Sequence, residues 1–313
     1  MALPIAPPLL PQLSRSAKTL PAGDGWSYEP KWDGFRAIAF VDGADVYLQS
    51  RNGRPLRRYF PELEFPEGRY VLDGEIVLFD ERGRQDFDAL GQRVHPAESR
   101  IRMLAEQTPT RYVAFDLLAD DGEVLLELPY RERRRRLEGR VAKPVDLTPC
   151  TDDPEAAGEW LHGAEGVIAK RQDAQYLPGE RKGMAKIKRV RTIDAVVLGW
   201  RPGKEEGTVG ALILGLYDGG ELRVVGHCSG LSAKEKRELP AKLAPYETGE
   251  RGMGDPSRWA SDRELEWIAL RPELVVEVTF DHVSNDRIRH GTKLSRWRED
   301  KDPRDCRTDQ LLS

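Results

Sequence analysis

The residue types best suited to chemistry gather near the start of the chain. Glu29-Pro30-Lys31-Trp32-Asp33-Gly34-Phe35-Arg36 sets a lysine at the end of a strand-like run, an acid two residues on, then a glycine and an arginine. An amine in such a string can serve as a nucleophile. It can equally do no more than pair with Asp33 in a surface turn. The string rises above chance because of the ordered residues downstream of it. Ser50-Arg51-Asn52-Gly53, Asp73-Gly74-Glu75, Phe115-Asp116-Leu117-Leu118, Glu165-Gly166-Val167-Ile168-Ala169-Lys170, Lys186-Ile187-Lys188 and Arg298-Glu299-Asp300-Lys301 come in turn. Lys186 and Lys188 are two apart, so on a strand both ammonium groups share one face.

This ordered set resembles the covalent nucleotidyltransferase superfamily of ATP-dependent DNA ligases, RNA ligases and mRNA capping enzymes. It is most similar to the short bacterial ATP-dependent DNA ligases of the ligase C and ligase D type. The resemblance runs from about Pro4 to Arg307. The stretches GWSYEPKWDGFRA and RHGTKLSRWREDK incline it toward DNA rather than RNA. It implies that Lys31 attacks the α-phosphate of ATP to make a lysyl-AMP. The AMP then passes to a DNA 5′-phosphate, and the 3′-hydroxyl displaces it. A free lysine amine, with a pKa of about 10.4, is only ~0.04% neutral at pH 7. Nearby cations and partial burial must therefore arm the nucleophile.

The same resemblance implies the other roles. Lys186 and Lys188 hold the α-phosphate, joined by Arg181. Glu165 takes the divalent metal, Mg2+ or Mn2+. Glu75 lies near the ribose hydroxyls and shares the metal. Phe115 stacks on one face of adenine, Ile168 closes the other, and Glu29 meets the base edge. Arg36 contacts the sugar or the DNA terminus, and Arg51 holds the 5′-phosphate of the nick. Arg298 and Lys301, on the second domain, orient the leaving pyrophosphate. Met184 stands where many relatives carry a tryptophan, so looser packing is expected under the phosphate contacts.

These groups need elements to position them. The fold class expected is α+β. A nucleotidyltransferase (ATP-grasp-like ligase) domain of antiparallel sheets with flanking helices occupies 1–191, and a β-barrel OB-fold domain occupies 192–313. The proline-rich first 25 residues read as an extended lead-in. Strands are expected at Tyr28–Lys31, at Phe35–Val41 and Val46–Gln49 about an Asp42-Gly43 turn, and at Tyr70–Asp73 and Glu75–Phe79 with Gly74 as a break. Tyr112–Leu118 and Gly166–Lys170 follow the same pattern. Helices are expected at about Asp88–Glu106 and at Tyr130–Arg140, whose six arginines, mixed with Glu132 and Glu138, suggest a solvated face. In the second domain Ala195–Trp200, Ala211–Tyr217, Glu221–Cys228 and Leu274–Phe280 read as strands. Asp218-Gly219-Gly220 is a hairpin turn, and Ser232 caps a helix within Leu231–Tyr246.

Composition bounds the rest. In 313 residues, 39% hydrophobic content allows a real core, so global disorder is excluded. No run approaches the roughly 18 apolar residues of a membrane span. No signal peptide is recognisable. Cys150, Cys228 and Cys306 are too few and too scattered for a disulfide framework or zinc site. The five histidines have no metal spacing and are expected to be structural, with His290 alone placed to meet a phosphate. A net charge of −4 gives no hint of nucleic acid, but Arg181–Arg191 carries six basic residues and no acidic one. The expected partner is nicked or broken duplex DNA, with Ku and an end-processing polymerase by family analogy. A monomer is expected, in the cytoplasm, nucleoid-associated when acting, without a membrane. With 30 residues before Lys31, two domains alone must clamp a nick, so DNA affinity should be modest and salt-sensitive. The alternatives are an RNA ligase, a capping-type transferase, or a weakly catalytic DNA-end-binding module.

Overall fold

Lys31 lies where one sheet hands the chain to another. The structure is a computed structural model and describes residues 3–189, 191–253, 266–280, 283–284, 287–288 and 292–312. The chain divides into two compact units, Met1–Arg189 and Val190–Ser313.

In the first unit, β1 (Arg15–Ala17) runs parallel to β10 (Met184–Lys188), which pairs with β9 (Gly166–Arg171), which pairs with β2 (Trp26–Lys31). The lead-in is extended, as expected, but its end is also an edge strand. It is tied down by hydrogen bonds from Leu13 N to Glu180 O (2.8 Å) and from Gln12 Nε2 to Lys182 O (2.6 Å). The second sheet has the order β4 (Asp45–Ser50), β3 (Phe35–Gly43), β5 (Gly68–Val77), β6 (Arg111–Asp120), β7 (Glu123–Val124), with β8 (Asp146–Leu147) beside β6. Their alternation of apolar residues buries Ala37, Ala39, Leu72, Ile76, Ala114 and Leu117 in one core.

Three expectations need correction. Gly74 is not a break: β5 runs through it, with a shift of register against β6 between Asp73 and Gly74. A Cβ at Gly74 would lie 2.6 Å from both Tyr112 Cζ and Val113 O, so the glycine is there for close approach. Gly74→Ala is therefore expected to cost about 1–3 kcal/mol, the usual penalty of overpacking, read as a lowered melting temperature. A melting temperature at the wild-type value would refute the tight approach.

The single helix expected at 88–106 is two helices, α1 (Phe87–Gly91) and α2 (Glu98–Gln107). Pro96 disfavours helix at His95. The break turns Arg93 inward, where it is fully buried and pairs with Glu62 at 2.7 and 2.8 Å.

The arginine-rich helix α3 (Tyr130–Arg140) is not a solvated face throughout. Its buried residues are Tyr130, Arg133 and Leu137, an i, i+3, i+7 stripe that puts a guanidinium in the core. Arg133 clasps Asp116 at 2.8 and 3.0 Å. Arg135 and Arg136 face outward and pair with Glu132, as a solvated face should. A fourth helix, α4 (Pro154–Gly163), packs on β2 and β9.

The second unit has β11 (Arg191–Pro202), β12 (Val209–Asp218) and β13 (Glu221–Cys228), then α5 (Ala233–Leu243), β14 (Glu247–Met253), β15 (Glu266–Leu270), β16 (Val275–Phe280), β17 (Val283–Ser284), β18 (Arg287–Ile288) and β19 (Lys293–Trp297). Ser232 caps α5 with a reciprocal Glu235 contact, as the sequence indicates. β11 pairs with β12, β15 and β16 in turn along its length, wrapping the sheet round a core of Val196, Leu212, Leu214 and Val276. All three cysteines are free. Among the described residues, no helix is long and apolar enough to cross a membrane. His290 lies outside the described residues.

Candidate functional site

Strand register assembles the site. Glu29 on β2 lies opposite Ile168 on β9, which lies opposite Lys186 on β10. Two residues along, Lys31 and Lys188 both flank Gly166. Period-2 geometry puts both rows on one face of the sheet. Glu165 immediately precedes β9, and its carboxylate accepts a hydrogen bond from the Lys31 amine in an ion pair. The Lys188 amine stands 3.5 Å from the other Glu165 oxygen. After Lys31 the chain must turn against β5, and Gly34 is what lets it. A Cβ there would sit 2.2 Å from Ile76 O.

A cavity of about 840 Å³ opens over this face. Of the residues singled out from the sequence, Glu29, Lys31, Arg36, Arg51, Glu75, Phe115, Ile168, Arg181 and Lys186 line it. Its size suits a nucleotide. Met184 lines it too. Glu165 and Lys188 join through their contacts with Lys31 and with each other. Arg298 and Lys301 belong to the second unit. There Arg298 Nη1 donates to both oxygens of Asp194 at 2.8 and 2.9 Å, and Lys301 Nζ to one at 2.8 Å. Arg298 also pairs with Asp300, which with Asp194 holds its charge firmly.

Electrostatics follow from this crowding of charge. Partial burial pushes the Lys186 ammonium below the usual lysine range, helped by the neighbouring cations Lys188, Lys31, Arg181 and Arg51. Such a group welcomes a phosphate. Arg36 is held by Asp73 in a two-pronged contact at 3.0 and 2.6 Å. Asp73 is fully buried and also accepts from Tyr176 Oη at 2.6 Å. That pairing keeps the Arg36 charge in place against burial.

Glu75 faces the cavity beside Arg36. Burial pushes its carboxyl up to about 8, against the pull of Arg36 and Lys31 and with help from Asp73 and Glu165. A raised carboxyl pKa favours folding below the unfolded value, and the advantage is lost as pH rises through about 8. Metal-free Glu75→Gln is therefore expected to gain melting temperature on wild type between pH 5 and 8, with no further gain above about 9. Parallel melting curves across that range would show that Glu75 is ionised throughout.

Among the described residues no group of three or more His, Cys, Asp or Glu could form a metal cage. Glu165 and Glu75 instead offer the pair of hard oxygen ligands that suits an ion keeping its waters and binding substrate phosphates.

Several participants escape a reading of the sequence. Lys170 lines the cavity, its amine 4.9 Å from the Phe115 ring centre and 2.9 Å from Phe115 O. It ends the Glu165–Lys170 string, so its signal is present but carries no role there. Asp73 likewise sits inside a recognisable string. Tyr130 and Arg134, which reach Glu29 from α3, have no local signal at all.

Comparison with known proteins shows the family of the chain. Residues 8–188 match the family model "ATP dependent DNA ligase domain", and 205–301 match "ATP dependent DNA ligase C terminal region". The chain is 46% identical over 335 residues to DNA ligase C1 of Mycolicibacterium smegmatis, covering 99% of this chain and 96% of that protein. It is 42% identical over 347 residues to DNA ligase C of Mycobacterium tuberculosis, covering 99% and 96%. The crystal structure of the ligase domain from M. tuberculosis LigD is similar, with a TM-score of 0.53, 32% identity, and coverage of 94% of this chain and 96% of that one.

Proposed function

The chain belongs to the ATP-dependent DNA ligases, enzymes here of repair or end joining, and we propose that its chemistry runs through the Lys31 amine. The observation that carries this is the nucleotide-sized cavity in which Lys31 meets Glu165 while Lys186, Phe115 and Ile168 line the same walls.

In the first step the Lys31 nitrogen forms a bond to the α-phosphorus of ATP and pyrophosphate leaves. The ammonium must first shed its proton, and Glu165 is the carboxylate in contact with it. Lys186 and Lys188 neutralise charge on the phosphoryl oxygens, the part of phosphoryl transfer a protein can best supply. Phe115 and Ile168 hold the adenine, with Glu29 at its edge. Arg36 and Glu75 meet the ribose. In the second step a 5′-phosphate oxygen of DNA, held by Arg51, attacks the AMP phosphorus and the lysine nitrogen leaves. In the third, the 3′-hydroxyl attacks the 5′-phosphate and AMP departs. A divalent ion, Mg2+ or Mn2+, on Glu165 and Glu75 would supply positive charge at the same phosphates. The adenylation domain expected over 1–191 corresponds to the first unit, Met1–Arg189. The OB domain expected over 192–313 corresponds to the second unit, Val190–Ser313, and its Arg298 and Lys301 would serve the leaving pyrophosphate.

The substrate proposed is nicked or broken duplex DNA, joined at the nucleoid in the cytoplasm, with Ku and an end-processing polymerase holding the ends. The test is to offer labelled 5′-phosphate/3′-hydroxyl nicks in DNA, in RNA and in hybrids, with Mg2+ or Mn2+. Joining of the DNA nick is expected to dominate, and to gain from added Ku on blunt ends. Preferential joining of RNA would overturn the substrate assignment. DNA binding without joining under any metal would leave an end-binding module.

Glu165→Gln keeps the shape of the Lys31 partner but removes its charge. It is expected to lower the rate of lysyl-AMP formation by about 10²-fold or more, the scale of losing a positioned acid–base group. An unchanged single-turnover rate would remove Glu165 from the reaction.

A further inference from the structure

The arginine-rich helix α3 reaches Glu29, a lining residue of the cavity, and the contacts it makes there are specific. Tyr130 Oη donates to Glu29 Oε1. Lys170 Nζ donates to Glu29 Oε1 at 3.0 Å and lies 2.9 Å from Oε2. Arg134 Nη1 stands 3.7 Å from Glu29 Oε1. It is itself held elsewhere, through Nε to Glu138 at 2.7 Å and Nη2 to Thr148 O at 3.0 Å. Glu29, Tyr130 and Lys170 are each at most 3% exposed. This is an expensive arrangement for surface charge to adopt by chance, because Glu29 and Lys170 are both charged and both taken from water.

A carboxylate has about four lone-pair positions and no proton to give. Two on Oε1 are taken by Tyr130 and Lys170, and one on Oε2 by Lys170. One position on Oε2 remains. Glu29 lines the cavity beside Phe115 and Ile168, so that free position belongs to whatever base lies between them. Adenine presents an exocyclic amine there, a donor. Guanine presents a carbonyl oxygen, an acceptor, which would face a second acceptor. The sign of this one contact decides between the two bases, and it depends on Glu29 being held in a fixed rotamer with an acceptor oxygen toward the base.

We propose that Lys170 and Tyr130, with the nearby charge of Arg134, select ATP over GTP by holding Glu29 as a fixed acceptor where it lines the cavity. They are positioning residues that act through Glu29. Lys170 has a second hold on the same place through Phe115 O and the Phe115 ring, so it sets the stacking plane and the edge contact together. The inference rests on the ligase reading, since it needs a base between Phe115 and Ile168.

The experiment measures lysyl-nucleotide formation with α-labelled ATP and α-labelled GTP, as kcat/KM, for wild type, Tyr130→Phe, Lys170→Met and Lys170→Arg. A melting curve for each variant checks folding. Wild type is expected to prefer ATP strongly. Lys170→Met should reduce the ATP:GTP ratio by about tenfold or more, mostly through KM for ATP, as expected for losing one charge-assisted hydrogen bond. Tyr130→Phe keeps the ring and should reduce the ratio about threefold. Lys170→Arg should restore most of what Lys170→Met loses. An unchanged ratio in folded Tyr130→Phe and Lys170→Met would overturn the proposal, as would an equal loss with both nucleotides, which is what a merely structural role predicts. A wild-type protein labelled by neither nucleotide would overturn this proposal together with the ligase reading, a result distinct from an unchanged ratio.

Discussion

Lys31→Ala is expected to end label transfer from ATP to protein and to lower joining of an ordinary nick by about 10⁴-fold or more, the scale seen when a covalent nucleophile is deleted. Geometry is the reason. Lys31 is one of three lysines lining the cavity, with Lys170 and Lys186. Lys170 is bound on three sides by Glu29 and Phe115 O and cannot swing to a phosphate without leaving a buried carboxylate unpaired. Lys186 shares its face of β10 with Lys188 and is better placed to hold oxygens than to attack phosphorus. The third step needs no lysine amine. Lys31→Ala should therefore still seal DNA supplied with AMP already on its 5′-phosphate, at a rate within about tenfold of wild type. The two assays separate nucleophile loss from general damage. Equal labelling of the variant and wild type would show that the bond forms elsewhere.

The site is legible in the sequence through the resemblance, which singles out Lys31, Glu165 and the Lys186–Lys188 pair. Pairing of β2, β9 and β10, seen only in the structure, then brings them together. Two-residue spacing fixes which side chains share a face. Long-range contacts between elements with no shared register are not legible. Tyr130 and Arg134 meet Glu29 across about a hundred residues of sequence, and the helix that carries them looks like a charged surface because charge alone does not reveal a buried partner. Asp73 stands within a recognisable string, yet its work is to hold Arg36 with Tyr176, a residue in a loop that offers no pattern. Where the secondary structure differs, a competing local term decides. Pro96 disfavours helix at His95, between α1 and α2, so the two do not run together. Gly74 stays in its strand because the Tyr112 ring and the Val113 carbonyl leave no space for a side chain.

The buried arginine of α3 makes the largest stability prediction. Arg133 and Asp116 are each 2% exposed, and Arg133 also donates to Leu128 O at 2.6 Å and Ala174 O at 3.1 Å. One guanidinium thus ties α3 to β6 and to the loop after β9. Arg133→Met leaves Asp116 as an uncompensated buried carboxylate, so a cost of about 3–5 kcal/mol is expected. For a domain of this size that lowers the melting temperature by roughly 10 °C. Adding Asp116→Leu removes the stranded charge and should recover much of the loss, because a buried pair replaced by apolar side chains of similar volume is often near neutral. The pH dependence gives a second check. Burial pushes the Asp116 carboxyl up, but Arg133 overrides it and holds the group below its ordinary 3.8. A depressed carboxyl contributes stability above the unfolded value, and that stability is lost as pH falls through the folded one. Wild type should therefore lose stability below about pH 4 more steeply than the double variant. If the single variant melts with wild type, Arg133 does not anchor α3. Because α3 also carries Tyr130 and Arg134, a folded Arg133→Met protein should bind ATP more weakly as well, which links the stability of the helix to the choice of base.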